Sequence, residues 1–217
     1  MKLFVAPTDH DWYMYLRGLP RDEVNFWFPS AGTAFRALES GEPFLFKAKS
    51  PHNAIIGGGF FVRYVAAPLS LAWHAFGDGN GAPDSRSLLK RLRKYNDTAT
   101  PDPEIGCALL AEPFFFPEEL WVDPPPNWAP TIVRGKTYST DEPVGASLWN
   151  AVVHRMTDPR TVTGPKSVTP YLGDPPGVLS VPGQPNLFGT PTLMRRRLGQ
   201  GAFRLSVLDA YGKRCAV

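Results

Sequence analysis

The sequence predicts an α+β fold: a small, curved, mostly antiparallel sheet resembling a barrel, with short peripheral helices, followed by an extended linker. Three observations lead there. The 217 residues include 24 Pro and 20 Gly, which disfavours long helices and favours short strands joined by long loops. Charged residues make up 20% and hydrophobic residues 43%, a globular balance rather than a disordered one. Apolar runs of strand length are interleaved with short segments that carry helix caps and stops.

Lys2-Leu3-Phe4-Val5-Ala6 reads as the first strand. Asp9 is placed to cap a short helix through Trp12, Tyr13 and Leu16, which Gly18 and Pro20 end. Residues 33–40 read as a two-turn helix with Phe35 and Leu38 on one face and Gly41 as its stop. Residues 44–47 and 55–65 have the pattern of paired strands, with Ser50-Pro51-His52-Asn53 as a turn between them. Gly57-Gly58-Gly59 makes a poor strand interior unless a bulge or another backbone comes close there. Residues 70–76 form a short helix closed by Gly77, and Asp84 caps a stronger one over 85–95. Residues 105–110 are a strand. The eight prolines within 101–130 imply a long irregular crossing anchored by Trp121 and Trp128. Residues 131–138 supply a last strand and 145–156 a closing helix. From 158 to 194 the Pro- and Gly-rich sequence has almost no periodicity and reads as a linker. Residues 195–217 regain an apolar pattern. The organisation is therefore a domain over 1–157, a linker over 158–194 and a further piece over 195–217.

No stretch of about 18 uninterrupted apolar residues exists, so nothing is expected to span a membrane. The N-terminus meets Asp9 and Asp11 too early for a signal peptide. Cys107 and Cys215 form neither a disulfide framework nor a metal site, and a cytoplasmic setting follows as the expectation. The net charge of +3 hides a gradient: residues 1–157 hold 15 basic and 17 acidic side chains, residues 158–217 hold 8 and 3. Attraction for nucleic acid is concentrated toward Arg195, Arg196 and Arg197.

Motifs for phosphate-loop, dinucleotide, zinc-protease or serine-hydrolase chemistry are absent, and the four histidines share no ligand spacing. The positive signal is aromatic. Asn25-Phe26-Trp27-Phe28-Pro29-Ser30 places three consecutive aromatics between a turn and a helix. Three adjacent rings cannot all face one core. A displayed ring beside Asn and Ser is what stacking a flat heterocycle and bonding its edge require; packing of all three between sheet and helix is the competing reading.

Asn25-Phe26-Trp27, then Leu38 to Lys47 with its Gly41-Glu42-Pro43-Phe44-Leu45-Phe46 turn and strand, then Ile55-Ile56-Gly57-Gly58-Gly59-Phe60-Phe61, resemble PUA-like domains. In outline the sequence is similar to the EVE and SRA-like readers of modified bases. Where EVE modules carry a Trp-x-Gly-x-Arg-Asn-Tyr run, this chain has Asn25-Phe26-Trp27-Phe28. With Pro103 to Cys107 and Gly135 to Tyr138, residues 1–157 resemble the N-terminal module of bacterial HNH endonucleases of the modification-dependent (type IV) restriction type. Arg197 to Arg204 and Val207 to Val217 resemble the lead-in to the HNH domain of that family, whose metal-holding His and Asn residues are not in this sequence.

The resemblance implies a DNA-binding module that flips a modified base, 5-methylcytosine or 5-hydroxymethylcytosine, into an aromatic pocket of double-stranded DNA recognition. It implies no catalysis and no cofactor in this chain, a divalent metal in the HNH domain, and a homodimer for cutting both strands. Phe26 and Trp27 would stack or wall the pocket, Asn25 and Ser30 would meet the base edge, and Trp12, Asp11 and Phe46 are the next candidates. Lys47, Lys49, Arg63 and Arg195 to Arg197 would hold the DNA backbone. Alternatives are an RNA-binding PUA-like module, a reader of N6-methyladenine, an enzyme acting on a small nucleotide-like ligand, and a module whose aromatics are all core.

Overall fold

The computed structural model describes residues 1–19, 21–32, 35–96 and 99–163. Within them the fold is α+β, with a mostly antiparallel sheet and short helices around it. The strands are β1 (Lys2–Thr8), β2 (Glu23–Phe28), β3 (Pro43–Ala48), β4 (Ile55–Pro68), β5 (Glu104–Phe115), β6 (Lys136–Ser139) and β7 (Val162–Thr163). They run in the order β2-β5-β4-β3-β1-β6, and β7 pairs with β5. The path is open, with β2 and β6 at its ends. Among the described residues only β1 and β3 pair in parallel. The helices are α1 (His10–Arg17), α2 (Leu69–Phe76), α3 (Ser85–Arg93) and α4 (Pro143–Met156).

Every residue of β3 is buried, because helices and loops cover both faces of the sheet. Three apolar clusters result. One lies under α1 with Trp12, Tyr13 and Leu16, the positions whose helical spacing marks them in the sequence. A second lies under α2 and α3, and a third under α4, with Leu148 and Val152. Among the described residues no helix is long and apolar enough to cross a membrane.

Several elements differ from expectation. Residues 35–40 form no helix. The Glu39 amide donates to the Glu42 carboxylate at 2.8 Å, and the Phe35 ring packs edge-on to Phe4 at 4.9 Å, so the segment finds its partners outside a helix. The aromatic run at residues 26–28 lies on a strand, β2, which pairs in full with β5. β5 runs to Phe115, well into the Pro-rich region, because Pro113 falls where the register with β4 shifts between Gly58 and Phe60. Proline is tolerated at such a bulge since no ladder bond is asked of it. The last long strand shrinks to β6. Residues 158–163 continue the fold: Thr161 is buried and Val162 pairs with Phe115. Residues 164–217, with most of the expected linker, its sequel and Cys215, lie outside the described residues.

Asp84 caps α3 as its sequence position indicates, accepting from the Ser87 amide at 2.7 Å. This bond to the charged form holds the Asp84 carboxyl below its ordinary pKa. A depressed pKa means the stabilisation is present above the unfolded carboxylate value and is lost as pH falls through the lower folded one. Asp84→Ala is therefore expected to lower the thermal midpoint at neutral pH, with the gap from wild type closing in acid. Parallel melts across that range check it; a gap independent of pH would remove the charge from the explanation.

Candidate functional site

Strand alternation sorts the aromatic run of β2. Val24, Phe26 and Phe28 face the cluster under α1, whereas Trp27 joins the cluster under α2 and α3. Beside the first face opens a cleft of about 530 Å³. Its walls are rings: Trp12 from α1, Phe26 and Phe28 from β2, Phe35 from the following loop and Tyr64 from β4. Phe28 and Phe35 lie 6.0 Å apart and nearly stacked. Trp12 is held edge-on to Phe26 at 5.5 Å and to Phe46 at 5.0 Å. Gly81 lets the chain pass against Trp12; with φ +77°, a Cβ there would overlap the indole. Trp27 lines the cleft at its edge, its Nε1 donating to the Asn80 carbonyl at 3.2 Å.

One end of the cleft is polar. Lys49 Nζ donates to Asp9 Oδ1 at 2.7 Å and to the Tyr95 hydroxyl at 3.0 Å. Tyr95 in turn donates to the Asp9 carboxylate, 2.6 Å from Oδ2. The ammonium also sits 4.4 Å from the Tyr95 ring centroid. Burial works against the Lys49 charge, but the hydrogen bonds to Asp9 and Tyr95 outweigh it and raise the pKa. Burial, then the bond to Asp9, raises that of the Tyr95 phenol. The site therefore presents a charged ammonium and a neutral phenol at physiological pH. Asn96 Nδ2 donates to the Pro29 carbonyl at 2.9 Å and ties the end of α3 to the end of β2. Exposed Arg36 and Arg134 stand on the rim.

Of the residues the sequence singles out, Phe26, Trp27, Ser30, Trp12 and Lys49 are brought together around this cleft. Phe46 is fully buried behind it, stacked 6.0 Å from Phe26, so it backs the wall. Asp11 lines a neighbouring depression. Asn25 does not reach the cleft: it is 0% exposed and donates to Asn80 Oδ1 at 2.8 Å, because in a strand it must face away from Phe26. Lys47 is corrected for the same reason. Opposite in phase to Phe46, it is 4% exposed, bonds the Ala48 carbonyl and Asn53 Oδ1, and lies 5.3 Å from the Trp128 ring centroid. Burial lowers its pKa, and it is not among the residues that line the cleft. Arg63 on β4 does not line the cleft, and Arg195, Arg196 and Arg197 lie outside the described residues.

The sequence reading missed Asp9, Tyr95, Tyr64 and Phe28 as cleft residues. Asp9 precedes α1 as expected, but its carboxylate makes no cap bond and serves Lys49 and Tyr95 instead. Among the described residues no group of three or more His, Cys, Asp or Glu is placed to hold a metal ion.

No family model matches the chain, and no curated protein matches it. Among solved structures it is similar to the ASCH protein of Zymomonas mobilis. That crystal structure is 11% identical, with a TM-score of 0.46, covering 68% of this chain and 94% of that one. A tyrosine-to-phenylalanine variant of the same protein is 12% identical, with a TM-score of 0.45, covering 70% and 99%.

Proposed function

We propose that the cleft takes a single heterocyclic base from a nucleic-acid strand, and that the chain is a reader module rather than a catalyst. The observation that carries this is the pairing of flat aromatic walls with cations at the mouth. The volume of about 530 Å³ suits a small flat ligand. Stacking on an aromatic wall contributes roughly 1–3 kcal/mol per base, which offsets the few kcal/mol of extracting it from a duplex. The likeness of residues 1–157 to modified-base readers supports the finer reading: a modified cytosine flipped from double-stranded DNA, to target an HNH endonuclease working as a dimer in the cytoplasm. A buried methyl adds only about 0.8 kcal/mol, so the shape of the Phe28–Phe35 wall must supply much of the preference.

The test is a binding panel of duplexes carrying cytosine, 5-methylcytosine, 5-hydroxymethylcytosine or N6-methyladenine, with single-stranded RNA beside them, at two salt concentrations. Modified cytosine should bind tightest at both. Phe28→Ala should keep the fold, since Phe28 is only half-buried, and weaken binding by about 1–3 kcal/mol, the loss of one stacking ring. Equal affinity for all duplexes with a steep salt dependence would mean phosphate contact alone and would sink the reading. Preference for RNA would replace DNA as the partner.

A further inference from the structure

We infer that the depression beside the cleft is its phosphate subsite, so the ligand is a whole nucleotide rather than a base alone; this rests on the base-binding reading above. The depression, about 240 Å³, lies between the start of α1, the turn at 49–52 and the C-terminal end of α3. Asp9, Lys49 and Tyr95 line both it and the cleft. The two spaces thus share a wall, as a base and its phosphate share a sugar.

Their chemistry differs in the way the two halves of a nucleotide differ. The cleft is walled by rings, whereas the depression carries Lys49, Arg91 and Lys94 beside Asp9 and Asp11. Lys49 is balanced by Asp9, which leaves Arg91 and Lys94 against Asp11 and a net positive charge. Arg91 donates through Nη1 to the Gly81 carbonyl. A guanidinium has five N–H donors, so the rest of the fork can meet phosphate oxygens, the geometry for which arginine is suited. Lys94 is exposed at the rim. The rings of His10 and His52, stacked 4.3 Å apart, complete the lining and offer further nitrogen donors. The Gly81 carbonyl that orients Arg91 belongs to the same glycine that seats Trp12 against the cleft, so the two subsites are braced by one turn.

The experiment compares 5-methyl-2′-deoxycytidine, its 5′- and 3′-monophosphates and inorganic phosphate, titrated into the full chain and into Lys94→Glu. One monophosphate should bind about tenfold tighter than the nucleoside, the scale of a charged hydrogen bond. Most of that gain should vanish in Lys94→Glu while the nucleoside affinity stays unchanged. Equal affinities for the nucleoside and both monophosphates would overturn the subsite and leave the base cleft standing. A gain that survives Lys94→Glu would place the phosphate elsewhere and also overturn it. Binding of neither nucleoside nor nucleotide would overturn the base reading and the subsite together.

Discussion

Gly57→Ala is expected to lower stability by about 2–6 kcal/mol, far more than Gly59→Ala two residues along the same strand. Gly57 sits on β4 with φ +153°, where a side chain is strained. A Cβ there would overlap the Phe114 carbonyl oxygen and come within 3.1 Å of Phe115 Cα. Both neighbours are backbone of the adjacent strand, paired to Gly57 and Gly58, so neither can swing aside. A non-glycine residue in a sparsely populated backbone region costs on the order of 1–3 kcal/mol, and overpacking a filled core about the same again. Gly59 has no such φ, and its Cβ would meet Leu110 Cβ at 3.2 Å and the Ala111 carbonyl oxygen at 3.3 Å, contacts that a small shift relieves. Gly58→Ala should fall between: its Cβ would meet the tip of the Phe114 ring at 2.7 Å and the Phe44 carbonyl oxygen at 2.8 Å, but without the positive φ of Gly57. Denaturant midpoints for the three variants decide it. A Gly57→Ala protein as stable as Gly59→Ala would mean that the close approach is not as described. Domains are stabilised by about 5–15 kcal/mol in all, so the first variant is expected near the edge of folding.

That glycine run was legible because a glycine-rich strand interior has few physical explanations, and the close approach of β5 is one of them. α1 was legible for a similar reason, its apolar residues keeping helical spacing. What could not be read locally is the polar end of the cleft. Asp9 meets Lys49 across 40 positions and Tyr95 across 86, and each residue has an adequate local reading: a cap, a strand-end cation, a helix terminus. Tertiary pairing of this kind leaves no trace in periodicity. The misplacement of Asn25 and Lys47 has another origin. Asn25 and Phe26 are both expected at the base, and Phe46 and Lys47 both at the DNA, yet neighbours on a strand point to opposite faces, and alternation divides each pair. Phe26 and Phe46 then meet in one core, while Asn25 and Lys47 go to the opposite side. The aromatic cleft was legible in residue type, and which rings line it follows from the alternation of β2.

The buried asparagine pair offers the sharpest test of that division. Asn80 is fully buried in the 3₁₀ turn Gly77–Asn80. Its Nδ2 donates to the Ala72 carbonyl at 3.1 Å and to the Gly77 carbonyl at 2.7 Å, and its Oδ1 accepts from Asn25 at 2.8 Å. Asn80→Ala removes those bonds and strands the Asn25 amide, which is 0% exposed. An unmet buried donor costs about 1–3 kcal/mol and each lost bond about 0.5–1.5, so a loss of about 2–6 kcal/mol in unfolding free energy is expected. Asn25→Ala should also destabilise, though less, since it strands only the Asn80 Oδ1. Because the two changes remove one shared bond, their combination should cost less than their sum by about 0.5–3 kcal/mol. The same variant separates the two roles open to Asn25. As a structural partner of Asn80, its loss lowers the melting midpoint and leaves the preference among duplexes unchanged below that temperature. If Asn25→Ala instead melts like wild type and binds modified and unmodified duplexes alike, the side chain turns into the cleft when a base is present, and β2 does more than carry the rings.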